Sequence, residues 1–174
     1  MAFLKPAAVL LALMLLSACS PAFDWRELQP EGSGVSVLFP CKPDRHARPL
    51  LLLNQKVTME MLVCEAGGVT FALSFADTQN PAAVGASLDE LRRVAIGNVT
   101  GTVVSTQPAR VQGMTPNDRA VRVTIEGRLP DGRGVGEQVV VFARGLRVYQ
   151  ASVIGAKLPA ETVDTFLASL RLAT

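Results

Sequence analysis

The chain has 174 residues, with 17 lysines and arginines against 15 aspartates and glutamates, so its formal net charge at pH 7 is only +2. This length corresponds to one ordinary domain with enough residues to bury a hydrophobic core. The near-neutral charge argues against a nucleic-acid partner, because such proteins neutralise phosphates with an excess of basic residues.

Residues 1–19 have the order of a bacterial export signal. One positive charge, Lys5, precedes an apolar run over residues 7–16, and small residues follow it. Charged, apolar and small residues in this order are typical of a secretory signal. The last four residues, Leu16-Ser17-Ala18-Cys19, resemble the lipobox of bacterial lipoproteins, whose cysteine becomes the lipid-bearing first residue of the mature chain.

The resemblance to a lipobox implies that the protein is located in the cell envelope. Residues 1–18 are then a signal peptide that is removed, and residues 19–30 are the lipidated N-terminus and a short tether. Cys19 would carry about two or three acyl chains such as palmitate, enough for stable anchoring in membrane lipid. The domain would face the periplasm. Ser20 after Cys19 resembles lipoproteins sent to the outer membrane rather than those retained by an Asp.

Three alternatives to a lipoprotein signal can be weighed. A transmembrane helix needs about 20 apolar residues, and residues 7–18 are too few. An ordinary signal without lipid fits cleavage after Ser20-Pro21-Ala22, whose first and third residues are small. The third alternative is a lipobox that arises by chance.

The chain has three cysteines. If Cys19 carries lipid, Cys41 and Cys64 remain as an even pair, and an oxidising periplasm favours a disulfide between them. The alternatives are a metal-binding pair and a catalytic thiol. A metal pair lacks further soft ligands, because the chain has a single histidine.

Alternation of apolar and polar residues predicts a series of strands in residues 31–174, which we expect to form a single domain. The predicted strands cover residues 35–39, 50–53, 57–64, 69–76, 102–106, 120–126, 137–143 and 146–154. Gly67-Gly68 is typical of a two-residue hairpin turn. The alternation on either side of it places Met59 and Phe71 on one shared core face.

Two helices are predicted from apolar residues at helical spacing. The first begins with a capping box of Ser87 and Glu90 and ends near Gly97. Its predicted apolar face consists of Leu88, Leu91, Val94 and Ala95. The second helix has the apolar positions Val163, Phe166, Leu167 and Leu170.

Tight glycine turns between consecutive strands predict a mainly antiparallel, twisted sheet, and the two helices supply cover for it. The predicted fold class is therefore α+β. The element order, together with Phe39-Pro40 and the nearby Pro43, resembles the fold of PsbP-type extrinsic proteins and Mog1-type proteins. This resemblance implies a PsbP/Mog1-like sandwich and transfers no functional residue.

Residues 41–49 are predicted to form a loop, because Pro43 and Pro49 lie near its ends. The segment holds the only histidine of the chain. A possible ligand or partner loop would use Lys42, Arg45, His46 and Arg48. The alternative is a solvated connection, which is favoured because His46 has no second histidine and no evident nucleophile beside it in the sequence.

No nucleophile elbow, zinc motif, phosphate loop or C-x-x-C pair is present. The sequence therefore predicts no catalytic, cofactor-binding or metal-binding residue. The expected function is that of a non-enzymatic binding or accessory module for another cell-envelope protein. The alternative is a small-ligand-binding protein or an enzyme with a pocket near residues 41–49.

Overall fold

The computed structural model describes residues 23–172. The predicted signal peptide and Cys19 lie outside these residues. Ten strands lie within the described part of the chain. They are β1 (Arg26–Leu28), β2 (Val35–Phe39), β3 (Asp44–Leu52), β4 (Gln55–Ala66), β5 (Val69–Asp77), β6 (Thr102–Pro108), β7 (Val121–Arg128), β8 (Gly134–Arg144), β9 (Arg147–Gly155) and β10 (Arg171–Leu172). The α-helices are α1 (Val84–Asn98), which follows a 3-10 turn at Pro81–Ala83, and α2 (Ala160–Ala168).

Seven strands form one large sheet in the order β3-β4-β5-β9-β8-β7-β6. Every pair of neighbours in it is antiparallel. The order follows from hairpins, because β3–β4, β4–β5, β6–β7, β7–β8 and β8–β9 are each consecutive in the chain. The shorter strands β1, β2 and β10 form a small sheet beside it. The predicted α+β class with a mainly antiparallel sheet is confirmed.

Each face of the large sheet has its own helical cover. Phe166 of α2 packs edge-on against Phe71 of β5 and Phe39 of β2, with ring centroids 5.3 Å and 5.1 Å apart. We call this side the Phe71 face. Helix α1 lies against β8 and β9 on the opposite side, where the side chains of Ile125 and Val99 meet near Gly101. We call that side the Ile125 face.

Strand β8 is buried on both faces over its apolar run. Val139, Val140, Val141 and Phe142 are all at most 4% exposed. Alternate side chains of this strand point to the two faces, and β8 lies between β9 and β7. The core therefore has two layers, one on each side of the large sheet.

The predicted disulfide between Cys41 and Cys64 is present. It links the segment that follows β2 to β4, and so connects the small sheet to the large one. The ring of Phe23 lies at the same end of the sheet and packs directly on Gly67 in the β4–β5 turn. A Cβ atom added to Gly67 would lie only 2.9 Å from Cζ of Phe23. Trp25 packs edge-on against Phe71 at a centroid distance of 6.1 Å.

The prediction that Met59 and Phe71 share a core face is wrong. Phe71 pairs with Cys64, and Leu73 pairs with Leu62, so the even-numbered residues of β4 lie on the Phe71 face. Met59 lies on the Ile125 face and is only half-buried. Apolar residues occur on both faces of β4, so alternation alone did not decide which of them faces the core.

The predicted start of the first helix is also wrong. Helix α1 begins at Val84, and Ser87 lies within it at 1% exposure rather than capping its N-terminus. Asn80 caps the preceding 3-10 turn instead, because its side chain accepts a hydrogen bond from the backbone N–H of Ala82. Of the predicted apolar face, Val94 is 39% exposed. No helix within residues 23–172 is long and apolar enough to cross a membrane.

Candidate functional site

The prediction of a loop over residues 41–49 is wrong, because residues from Asp44 onward belong to β3, an edge strand of the large sheet. The physical reason is that an edge strand borders solvent and therefore tolerates charged residues and proline. Arg45, His46 and Arg48 are exposed along this edge, and Lys42 is exposed just before it. They do not converge on a cleft, and the larger clefts within residues 23–172 are lined by other segments.

Arg45 has a structural role in this arrangement. Its Nε donates a hydrogen bond of 2.9 Å to Oε2 of Glu60 on β4, and its Nη2 donates one of 3.1 Å to the backbone oxygen of Glu31. These contacts tie the edge strand to its neighbour and to the turn before β2. Arg45 is therefore already engaged, whereas Lys42, His46 and Arg48 project from the edge.

The strongest candidate site is a groove that runs along β7 on the Phe71 face. Three adjoining cavities of about 410, 320 and 440 Å³ make up its length. The first two share Gln107 and Arg122, and the last two share Thr124 and Gln138, so they form one continuous depression. We call it the β7 groove. Helix α2 packs on β2 and β9, which leaves this part of the sheet accessible.

The composition of the groove follows from the alternation of β7. Val121, Val123 and Ile125 are buried on the opposite face, at 8%, 0% and 0% exposure. The residues between them, Arg122 and Thr124, are half-buried and point into the groove. Gln138 of β8 and Ser105 of β6 are the cross-strand partners of Thr124. The pairing of three strands thus places a row of polar side chains on one surface.

Arg122 lies at the centre of the groove and is held from two sides. Its Nε and Nη2 donate hydrogen bonds of 3.0 and 2.5 Å to Oε1 of Gln138. Its Nη2 also lies 2.8 Å from Oδ1 of Asp164, which projects from α2. Since each side chain comes from a different element, the network fixes the guanidinium plane and fixes α2 relative to the sheet.

Three further polar groups line the groove. They are the hydroxyls of Ser105 and Thr124 and the side-chain amide of Gln107. Hydroxyls and amides both donate and accept hydrogen bonds, and the guanidinium of Arg122 adds further donors. The charge of Arg122 is balanced by Asp164. Such a surface can recognise a neutral, hydroxyl- or amide-rich ligand through several hydrogen bonds.

The lining of the groove contains neither histidine nor cysteine. Across residues 23–172, no three histidine, cysteine, aspartate or glutamate side chains are grouped to hold a metal ion. The groups that Arg122, Gln138 and Asp164 bring together are hydrogen-bond donors and acceptors.

The groove was not predicted from the sequence, since its residues come from β6, β7, β8 and α2. One signal was available in the polar half of β7, where Arg122 and Thr124 alternate with buried residues. That alternation shows only that one face of the strand is polar. Whether the polar face meets solvent or a groove depends on where α2 packs.

The sequence matches no protein-family model, and no curated protein matches it.

Proposed function

We propose that the chain is a lipid-anchored protein of the bacterial cell envelope, whose domain faces the periplasm and binds another envelope component without catalysing a reaction. The observation that carries this proposal is the segment Leu16-Ser17-Ala18-Cys19 at the end of an apolar run. Ser20 favours the outer membrane as its site. The disulfide between Cys41 and Cys64 supports an oxidising compartment.

The position of Phe23 supports the anchoring part of the proposal. Phe23, which packs against the β4–β5 turn, lies four positions after Cys19 in the sequence. An extended chain of this length reaches at most about 14 Å. The domain would therefore stand close to the lipid surface, with the disulfide end nearest to it.

The β7 groove supports the binding part of the proposal. Strand β7 has eight residues, which correspond to a length of about 27 Å. A groove of that length with a balanced central charge suits an extended, neutral, polar chain. We include in the proposal a PsbP/Mog1-like arrangement of the sandwich, which the element order and the antiparallel sheet between two helices support.

The anchor is tested by the intact mass of the protein extracted from membranes. Wild-type protein should begin at Cys19 and carry the added mass of acyl chains. The Cys19→Ser variant should carry none and should leave the membrane fraction. A wild-type protein without lipid mass would disprove the anchor.

The groove is tested by photocrosslinking in cells. A photoreactive amino acid at Gln107, on the groove rim, should capture an envelope component, and the Arg122→Ala variant should lose that product. The matched control places the same amino acid at Arg133, in the exposed β7–β8 turn. A product that forms equally at both positions, or that survives Arg122→Ala, would exclude the groove as the binding site.

A further inference from the structure

Strand β3 and its turn form an exposed edge with two chemically distinct halves. The first half presents His46 and Arg48 to solvent, and Lys42 is exposed just before the strand begins. The second half presents three large apolar side chains, Leu50, Leu51 and Leu53, which are 36%, 70% and 41% exposed. We call the whole feature the β3 edge. Single exposed leucines are ordinary, but three among four consecutive residues at a hairpin tip indicate a contact surface.

The leucine tip is apolar on both faces of the sheet. Leu50 and Leu51 are consecutive in a strand, so their side chains project to opposite faces, and both are exposed. A flat protein surface would cover one of them and leave the other in water. A lipid phase surrounds the tip and covers both.

Basic residues flank this tip. Arg48 lies two residues before Leu50, and Lys56 is the cross-strand partner of Leu51. Among the residues of β3 and their pairing partners on β4, the acidic ones are Asp44 at the far end and Glu60, which Arg45 engages. The edge therefore has a positive excess next to its apolar tip, which is complementary to an anionic lipid surface.

Pro49 disfavours a partner strand at this edge. Leu53 and Asn54 form a two-residue turn with positive φ, and Leu52 and Gln55 are the closing pair of the hairpin. In an antiparallel pair, alternate residues point their backbone N–H and C=O groups toward the partner strand and away from it. Counted from the closing pair, Leu51, Pro49 and Ala47 are the residues of β3 whose backbone groups point away from β4. Pro49 has no N–H, so the outward row of donors is interrupted and strand addition is impaired.

The direction of β3 leads from the anchor end to the tip. Asp44 pairs with Val63, next to the disulfide and to the turn where Phe23 packs. From there the nine residues of β3 extend for about 30 Å. A domain tethered at Cys19 can thus lie along the membrane with the whole edge against it.

We propose that the β3 edge docks on an anionic phospholipid surface, with Leu51 and Leu53 entering the boundary between headgroups and acyl chains and with Arg48 and Lys56 contacting lipid phosphates. The proposal rests on the proposed lipid anchor, which holds the domain near the membrane, but the docking contact itself is a separate property. It gives the domain a fixed orientation on the membrane, with the opposite edge strand, β6, and the adjoining β7 groove facing away from the lipid.

The test uses the full chain in vesicles of phosphatidylcholine and phosphatidylglycerol, with tryptophan fluorescence as the readout. Trp25→Phe removes the only native tryptophan, and Leu51→Trp then places the probe at the tip. Lipids brominated on the acyl chains should quench its emission and the emission should shift to shorter wavelength. The matched control is Val104→Trp. Val104 is 58% exposed and lies on the opposite edge strand β6, so a tryptophan there should show neither quenching nor a shift in emission.

The charge contribution is tested by Arg48→Gln combined with Lys56→Gln in the Leu51→Trp background. Each lost charge should reduce the equilibrium constant for docking about fivefold, and quenching should fall accordingly. Arg133→Gln is the control, because it removes a basic residue from the β7–β8 turn and should leave quenching unchanged.

The outcomes separate docking from anchoring. Lipid on Cys19 without quenching at position 51 would overturn the docking proposal and leave the anchor intact. Quenching at position 51 in a protein without lipid on Cys19 would support docking and disprove the anchor. Equal quenching at positions 51 and 104 would also overturn docking, since it would show contact without orientation.

Discussion

The phenol of Tyr149 donates a 2.7 Å hydrogen bond to the backbone oxygen of Ser33, and both residues are buried. Burial raises the pKa of the Tyr149 phenol, so the hydroxyl keeps the proton that it donates. The bond ties the turn before β2 to β9, and thus joins the small sheet to the large one.

We therefore predict that Tyr149→Phe lowers the free energy of unfolding by about 1–3 kcal/mol, because it leaves the Ser33 oxygen buried without a partner. Denaturation in guanidinium measures the change. As a control, Thr165→Val removes a hydrogen bond to the backbone oxygen of Glu161 on the exposed side of α2 and should change stability by less than about 0.5 kcal/mol. A Tyr149→Phe protein as stable as wild type would contradict this role.

Glu137 is a buried carboxyl in β8, 2% exposed, and its Oε2 has no hydrogen-bond partner within residues 23–172. It lies between Ile125 and Ile154 on the Ile125 face. Burial raises its pKa from 4.5 to about 7, because the surroundings disfavour the charged form. The folded protein therefore holds a proton that the unfolded chain loses at lower pH.

It follows that the free energy of unfolding decreases as the pH rises from about 4.5 to about 7, by up to about 3 kcal/mol from this residue. Glu137→Gln should remove this slope and should be more stable than wild type at about pH 8. Denaturation at several pH values measures the slope. Infrared spectra should show a protonated-acid carbonyl band near pH 6, about one unit below that pKa, that is absent from Glu137→Gln. A variant with the wild-type slope would show that Glu137 is not the group responsible.

The disulfide closes a loop with a sequence separation of 23 residues. Its removal should lower the free energy of unfolding by about 3 kcal/mol, because the unfolded chain gains conformational freedom. We expect this loss in the double variant Cys41→Ser with Cys64→Ser, measured by denaturation. Reducing agent should destabilise the wild type by a similar amount and leave the double variant unchanged. Insensitivity of the wild type to reduction would contradict the prediction.

Gly127 permits a close approach between β7 and the end of α1. The N–H of Arg128 donates a 2.6 Å hydrogen bond to the Val99 oxygen, and a Cβ on Gly127 would lie 2.2 Å from that oxygen. Gly127→Ala should therefore destabilise the protein by about 1–3 kcal/mol.

Gly97 provides the matched control for Gly127. It lies in α1, and a Cβ there would meet no atom within 4 Å. Gly97→Ala should increase stability by about 0.5–1 kcal/mol, because alanine restricts the unfolded chain and favours the helix. Thermal unfolding of the two variants should thus give shifts of opposite sign. A Gly127→Ala protein as stable as wild type would contradict the prediction, because it would show that the backbone adjusts at this contact with no loss of free energy of unfolding.

Hairpin turns and alternating residues were enough to predict most of the sheet. Gly67-Gly68 connects β4 and β5 as predicted. The errors fall where two patterns compete. In β4 both faces carry apolar residues, and at Ser87 a capping pattern lies inside a longer helix that begins at Val84.

The sequence by itself determined the α+β class, the antiparallel hairpins and the cysteine pair, because these depend on periodicity, turn residues and composition, which are local. Only the tertiary structure decided that residues 44–49 are an edge strand, since charged residues and proline are compatible with either a loop or a strand bordered by solvent. The β7 groove was likewise decided by tertiary structure. Arg122, Gln138 and Asp164 are far apart in the chain, and they meet because of strand pairing and the packing of α2 on one part of the sheet.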